Sequence, residues 1–178
     1  MQKLFIATGN EYKYKELEKA LSPYFKCQQY DIDLIEIQGT SREIIQYKLL
    51  QAFKKTKQAV LVDDVSIHLD SLNGFPGPYV KDFLYTTGID KIVKLFKNTK
   101  VTAICAIGFM TNENKQIIVE GKTKGVVVLA KGNKKFGFDP IFQPIGYDKT
   151  FAEMTNLEKH KCSHRGDAIQ KLLKKLKS

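Results

Sequence analysis

With 178 residues, 43% of them hydrophobic, the chain fits one domain spanning 1–178 with a sizeable buried core. Its apolar runs are too short to span a membrane, and the opening MQKLFIATGN does not read as a signal peptide; three widely spaced cysteines without a CxxC argue for reduced thiols in the cytoplasm, not a disulfide framework or a zinc site. A net charge of +10 suits either nucleic acid or a polyanionic small molecule, but the lysines are scattered, with small clusters at Lys54–Lys57, Lys131–Lys135 and Lys171–Lys177, which reads as a solvated surface.

Lys3 to Ala7 is a short apolar run broken by Thr8-Gly9-Asn10, and Glu11 to Leu21 then carries Tyr14, Leu17, Ala20 and Leu21 at helical spacing. A strand, a tight turn and a helix N-terminus follow one another, and the N–H groups of that first turn suit an anion. Many α/β proteins begin this way with no ligand, and the Gly-Lys-Ser/Thr ending of a phosphate loop is absent, so the pattern leaves the anion site open. Cys27 to Leu34 reads as a second strand. Ser41 is placed to cap a helix in which Ile44, Ile45, Lys48, Leu49, Ala52 and Phe53 recur at helical spacing. Lys48 therefore lies on or beside an apolar face, where a lone lysine ordinarily snorkels to water. Ala59 to Val62 reads as a buried strand with Asp63-Asp64 at its carboxyl end, where open α/β sheets place their sites. Adjacent acids repel unless a cation or water intervenes, and such oxygen ligands suit Mg2+; a solvated turn is the competing reading.

Leu72 to Tyr79, LNGFPGPY, calls for tight turns, and short helices follow over Val80–Tyr85 and Gly88–Phe96. Val101–Met110 and Ile117–Val128 are strands rich in β-branched residues, with Asn112-Glu113-Asn114 as a hairpin connection. The stretch from Phe136 to Arg165 cannot be one regular element, because Gly137, Pro140, Pro144 and Gly146 punctuate it. Its aromatic faces and fixed donors and acceptors match what a planar heteroaromatic ring needs, stacking on its face and hydrogen bonds on its edge. An aromatic loop packed on the core is the ordinary alternative. The last helix starts near Ser163, which would cap it, with His164 and Arg165 in its first turn. An arginine there opposes the helix dipole unless an anion or acceptor offsets it. Alternating strands and helices followed by a β-rich section give an α/β class, a long mixed β-sheet flanked by helices.

Three segments in order carry a more specific signal: TGNEYK at Thr8–Lys13, VDDVS with LNGFPGPYVK between Val62 and Lys81, and FGFDPIFQPIGYDKTFAEM with EK and SHR from Phe136 to Arg165. Together they make the chain resemble the inosine triphosphate pyrophosphatases, closest to the eukaryotic type, from Ile6 to about Leu173. The resemblance implies two lobes with a central substrate cleft, a homodimer, Mg2+ as cofactor, and a nucleotide as partner in place of nucleic acid or membrane. It implies hydrolysis of non-standard purine nucleoside triphosphates (ITP, dITP, XTP) at the α-phosphorus, giving the monophosphate and pyrophosphate and cleansing the nucleotide pool. Thr8, Gly9, Asn10 and Lys13 match the turn that holds the triphosphate, and Lys48 matches a further phosphate contact. Glu36, Asp63 and Asp64 match the metal-linked carboxylates, Asp64 being the essential acid. Phe136, Gly137, Phe138, Asp139, Lys159, Ser163, His164 and Arg165 match the residues around the base, with Phe136 as the stacking ring. Phe138 stands where relatives often carry Trp or Tyr, and Val65-Ser66 departs from what bacterial relatives favour after the acid pair; both departures bear on fine specificity.

The implied chemistry is consistent with the residue types. Mg2+ on the carboxylates would bridge phosphate oxygens, Lys13 and Lys48 would add fixed positive charge, and Asp64 would orient or deprotonate the water. Arg165, a pure donor, can fork toward O6 and N7 of a 6-oxopurine. Adenine would present a donor there, a mismatch of roughly 1–3 kcal/mol; guanine also carries O6 and is not excluded by this contact. Two other readings compete. One is a basic nucleic-acid-binding protein without catalysis. The other is a Maf-like pyrophosphatase of modified pyrimidine nucleotides, against which the Phe136–Arg165 motif argues.

Overall fold

Strand β1 (Lys3–Ala7) sends Leu4 and Ile6 into the core by the two-residue alternation of an extended chain. It pairs in parallel with β2 (Lys26–Tyr30) on one side and β3 (Val60–Leu69) on the other. Parallel neighbours need long crossovers, supplied here by α1 (Glu11–Leu21) and α2 (Ser41–Thr56). The computed structural model describes residues 1–113, 115–132 and 137–177. Within them a mixed seven-stranded sheet runs in the order β2-β1-β3-β5-β6-β7, where β5 is Lys100–Asn112, β6 Lys115–Val127 and β7 Phe142–Pro144. β4 (Pro76–Gly77) pairs antiparallel with β3, and β7 antiparallel with β6. The remaining helices are α3 (Val80–Thr87), α4 (Ile89–Phe96), α5 (Asn156–Cys162) and α6 (His164–Lys177). Among the described residues no helix is long and apolar enough to cross a membrane.

The chain forms two compact units. The first takes Met1–Asp64, Ala106–Glu120 and the chain from Ala168 on. Part of its core is a cluster in which Ile45, Leu49 and Ala52 of α2 pack with Val60 and Val62 of β3 and Ala106 of β5. Packing is close at Gly108 in this layer, where a Cβ would lie 3.1 Å from both Leu49 and Val62. The second unit takes Val65–Cys105 and Gly121–Asp167. Its core joins Ile67 and Leu69 with Ile92, Val93, Phe138, Phe142 and Phe151. Phe142 and Phe151 stack with centroids 4.7 Å apart.

Several boundaries differ from those the sequence suggests, each for a local reason. The cap of α2 is Thr40, not Ser41: Thr40 accepts from the Glu43 N–H at 3.3 Å while Glu43 accepts from the Thr40 N–H at 2.8 Å. Only Thr40 has a glutamate three residues on, and that completes the reciprocal capping box. β2 stops at Tyr30, short of Leu34, because its partner β1 ends opposite it at Ala7. β3 continues to Leu69, well past Val62. The turn loop does adopt left-handed backbone, at Asn73, Gly74 and Gly77, and the Phe75–Pro76 bond is cis. The hairpin connection includes Asn114, which lies outside the described residues. A short helix not anticipated from the sequence, α5, precedes α6 and carries its own capping box from Thr155 and Glu158.

The junction of α5 and α6 leaves no space for a side chain at Gly166, where a Cβ would sit 1.8 Å from the His160 carbonyl oxygen. Gly166→Ala is expected to lower the unfolding free energy by about 3 kcal/mol in urea titration, since backbone would have to give way. The Glu158 carboxyl is held down to about 2, first by the Thr155 N–H and then by Lys149. A depressed carboxyl contributes stability above its unfolded value and loses it as the pH falls through the folded one. The stabilities of wild type and Glu158→Ala should therefore differ near neutral pH and converge between pH 4.5 and about 2.

Candidate active site

In the first unit, β1 ends at Ala7, and the hydroxyl of the next residue, Thr8, accepts from the Asn10 N–H at 3.1 Å. Asn10 then caps α1, accepting from the N–H groups of Tyr12 at 3.0 Å and Lys13 at 3.2 Å. Gly9 sits tightly between them, because a Cβ there would lie 2.7 Å from the Asp31 carboxylate. One turn into α1, Lys13 reaches Asp63, its Nζ 3.3 Å from Oδ2 and 3.4 Å from Oδ1.

Lys48 lies in the apolar row of α2 formed by Ile45, Leu49 and Ala52 and is only 9% exposed. It does not snorkel to water. Its Nζ donates to Glu36 at 2.8 Å and to Asp64 at 3.2 Å. Burial alone would pull its ammonium down, but Asp64, Glu36 and Asp63 outweigh that and its pKa stands above the ordinary lysine value. Asp64 also stands above its ordinary value: burial raises its pKa against the lowering pull of Lys48 and Lys13. The acid pair sits in mid-strand, not at the carboxyl end, since β3 runs on to Leu69. Three carboxylates thus meet two ammonium groups through direct ion pairs within this unit.

In the second unit, a 3-10 turn at Asp139–Ile141 places Asp139 in the interior, where its carboxylate accepts from Lys159 Nζ of α5. Ser163 ends α5 and its hydroxyl accepts from the Gly166 N–H at 3.1 Å, so it caps α6 as the sequence suggests. His164 and Arg165 follow in the first turn of α6, both 3% exposed. The His164 ring lies 5.8 Å from the rings of both Phe138 and Phe151. Phe138 is itself a core residue, packed on Phe142 with centroids 5.7 Å apart. Gly137 is exposed with φ +46°. Phe136 lies outside the described residues.

Each unit therefore gathers its own set. Thr8, Gly9, Asn10, Lys13, Glu36, Lys48, Asp63 and Asp64 share the first, and Gly137, Phe138, Asp139, Lys159, Ser163, His164 and Arg165 share the second. Two participants escaped the sequence reading. Asp31 lies just past β2, and nothing in the pattern connects it to Gly9. Phe151 stacks on Phe142 and has Lys159 Nζ 5.5 Å from its ring centroid. Its place in the same aromatic stretch was the available signal.

A model of the Ham1 family matches residues 4–175. A protein of Schizosaccharomyces pombe named inosine triphosphate pyrophosphatase is 38% identical over 176 residues, 97% of this chain and 94% of its own. One of Fusarium vanettenii with the same name is 36% identical over 96% of this chain and 94% of its own. Among solved structures, a HAM1 protein from Coxiella burnetii superposes with TM-score 0.85 at 26% identity, covering 99% of both chains. A nucleoside-triphosphatase / dITP/XTP pyrophosphatase from Mycobacterium abscessus superposes with TM-score 0.71 at 27% identity, covering 96% of this chain and 98% of its own. Matched by the family model along nearly its whole length and more than one-third identical to two curated relatives, this chain belongs to the Ham1 family.

Proposed function

We propose that this chain is a Mg2+-dependent homodimeric hydrolase of the cytoplasm. It converts ITP, dITP and XTP to the nucleoside monophosphate and pyrophosphate, removes them from the nucleotide pool, and uses residues 1–178 as one functional domain. The observation that carries this reading is the buried Lys48 ammonium bonded to both Glu36 and Asp64, in a chain whose relatives are named inosine triphosphate pyrophosphatase.

The donor set fits a hard divalent cation. Glu36, Asp63 and Asp64 offer only carboxylate oxygens, and burial makes Asp64 reluctant to hold its charge without a cation beside it. Among the described residues no three His, Cys, Asp or Glu side chains already converge as a ligand group. Lys48 bridges two of the acids in their place, and Mg2+ characteristically keeps several waters when carboxylates bind it. When bound, the ion supplies charge neutralisation to the phosphate oxygens.

The chain's own groups do the rest. Lys13 and Lys48 donate to phosphate oxygens where negative charge accumulates. Asp64, whose raised proton affinity suits it to take a proton, orients the water in line with the α-phosphorus. The new P–O bond forms as the α–β anhydride bond breaks, and the electron pair leaves on pyrophosphate. For the base, Arg165 offers its forked donors to O6 and N7 of hypoxanthine or xanthine, and His164, Lys159 and Asp139 complete the polar edge. Gly137 and Ser163 set the backbone beside them, Phe136 supplies the aromatic face, and Phe138, packed in the core, backs His164.

Incubation with ITP and Mg2+ should release pyrophosphate as the first phosphorus product, followed by phosphorus NMR; orthophosphate appearing first would remove attack at the α-phosphorus. Asp64→Asn should lower kcat by roughly 10²- to 10⁴-fold while leaving the far-ultraviolet circular dichroism unchanged. Retained turnover in that variant would take Asp64 out of the mechanism.

A further inference from the structure

The segment 31–40 contains no helix or strand, yet it carries Glu36. Ladder bonding ends at Tyr30, where β1 runs out, and Ile32 and Leu34 are only partly buried against the first unit's core. Ile35 is 66% exposed, so burial of its side chain does not hold it in place. Gln51 of α2 holds its backbone directly. Gln51 Nε2 donates to the Ile35 carbonyl at 2.8 Å, and Gln51 Oε1 accepts from the Ile35 N–H at 3.1 Å. A primary amide that closes on both polar groups of one residue reproduces a step of a strand ladder with a side chain. It fixes where that residue sits and how its peptides are turned, and the next residue is Glu36. Lys55, one turn further along α2, donates to the Asp33 carbonyl at 3.2 Å and fastens the same segment.

The ion pair from Lys48 grips only the end of the Glu36 side chain, which is 60% exposed, and does not fix the backbone that carries it. Lys48 and Gln51 are three residues apart on one helix, so the same turn of α2 supplies the cation for Glu36 and the clamp for its neighbour. We propose that Gln51 is the positioning residue for Glu36: it holds the carboxylate at the metal and phosphate end through the Ile35 backbone, and it touches neither metal nor substrate. This rests on the metal-linked reading of Glu36 given above.

The test uses full-length Gln51→Ala, Glu36→Ala and the double variant. In metal-free protein, Gln51→Ala should speed hydrogen exchange in the peptide containing Ile35. Calorimetric Mg2+ binding should weaken roughly five- to tenfold, the loss expected for about one neutral hydrogen-bond pair, and the Mg2+ half-saturation for pyrophosphate release should rise in parallel. Adding Gln51→Ala to Glu36→Ala should change neither Mg2+ measure further, because the carboxylate being positioned is gone. Faster exchange with wild-type Mg2+ binding would overturn the proposal and leave Gln51 a purely structural residue. An equal Mg2+ shift in both backgrounds would overturn it as well. If Glu36→Ala alone leaves Mg2+ binding unchanged, the metal assignment of Glu36 fails first and the positioning role falls with it.

Discussion

An ammonium group buried in an apolar helix face is the constraint on which the candidate site depends. Removing a lysine from water is costly, and Lys48 is tolerated in the row of Ile45, Leu49 and Ala52 because carboxylates meet its head. Those carboxylates come from a loop residue twelve positions before it and a strand residue sixteen positions after it. The ion pairs therefore tie a helix, a strand and an irregular segment into one arrangement. Removing Lys48 would leave the largely buried Asp64 carboxylate without its ion pair. The same fact governs ligand chemistry. With Lys13 on Asp63 and Lys48 on Glu36 and Asp64, two ammonium groups face three carboxylates. On the proposed reading, Glu36, Asp63 and Asp64 would hold a divalent cation, and Lys13 and Lys48 would then turn to phosphate oxygens. Such an exchange would keep the buried Asp63 and Lys48 charges and the largely buried Asp64 charge compensated.

The second unit solves a different problem. His164 and Arg165 are polar, buried and placed in the first turn of α6, where the helix dipole disfavours cations. Their position is set by backbone, not by choice of rotamer: Ser163 closes α5, caps α6 through the Gly166 N–H, and leaves no linker between the helices. The close approach of Gly166 to the His160 carbonyl fixes that corner. Around it the Phe138 and Phe151 rings, each packed on Phe142, lie 5.8 Å from the His164 ring and help to hold the imidazole.

Much of this was readable in the sequence, and the exceptions have identifiable causes. The strand-turn-helix at Thr8–Lys13 was legible because an apolar run, a glycine and helical spacing each signal a different element. The alternating helices and strands likewise gave the mixed sheet. The cap at Thr40 was mistaken for Ser41 because both hydroxyls stand before the helix, and only the reach of Glu43 separates them. α5 was missed because seven polar-rich residues show no apolar period, although the Thr155 to Glu158 spacing marks its start. Phe138 looked like an available aromatic face, and the structure uses that face in the core. Gln51, Asp31 and Gly166 had no signal at all. Each matters through a neighbour distant in sequence or through a close approach, and neither property leaves a periodic trace.

Asp63 and Asp64 show how local geometry settles what sequence left ambiguous. Two adjacent acids in a turn would compete for the same solvent or cation. In mid-strand, alternation sends successive side chains to opposite faces. Val60 and Val62 face the α2 cluster, so Asp64, in the same phase, meets Lys48, while Asp63 turns the other way to Lys13 of α1. Each acid thereby has its own lysine, and repulsion between neighbours is divided between two faces. The division also separates their chemistry. Asp63, 5% exposed, is closed over by one ammonium group that touches both its oxygens. Asp64 keeps a raised proton affinity because burial outweighs the pull of Lys48 and Lys13. Of two chemically identical neighbours, strand geometry sends one to Lys13 on one face and the other to Lys48 on the opposite face.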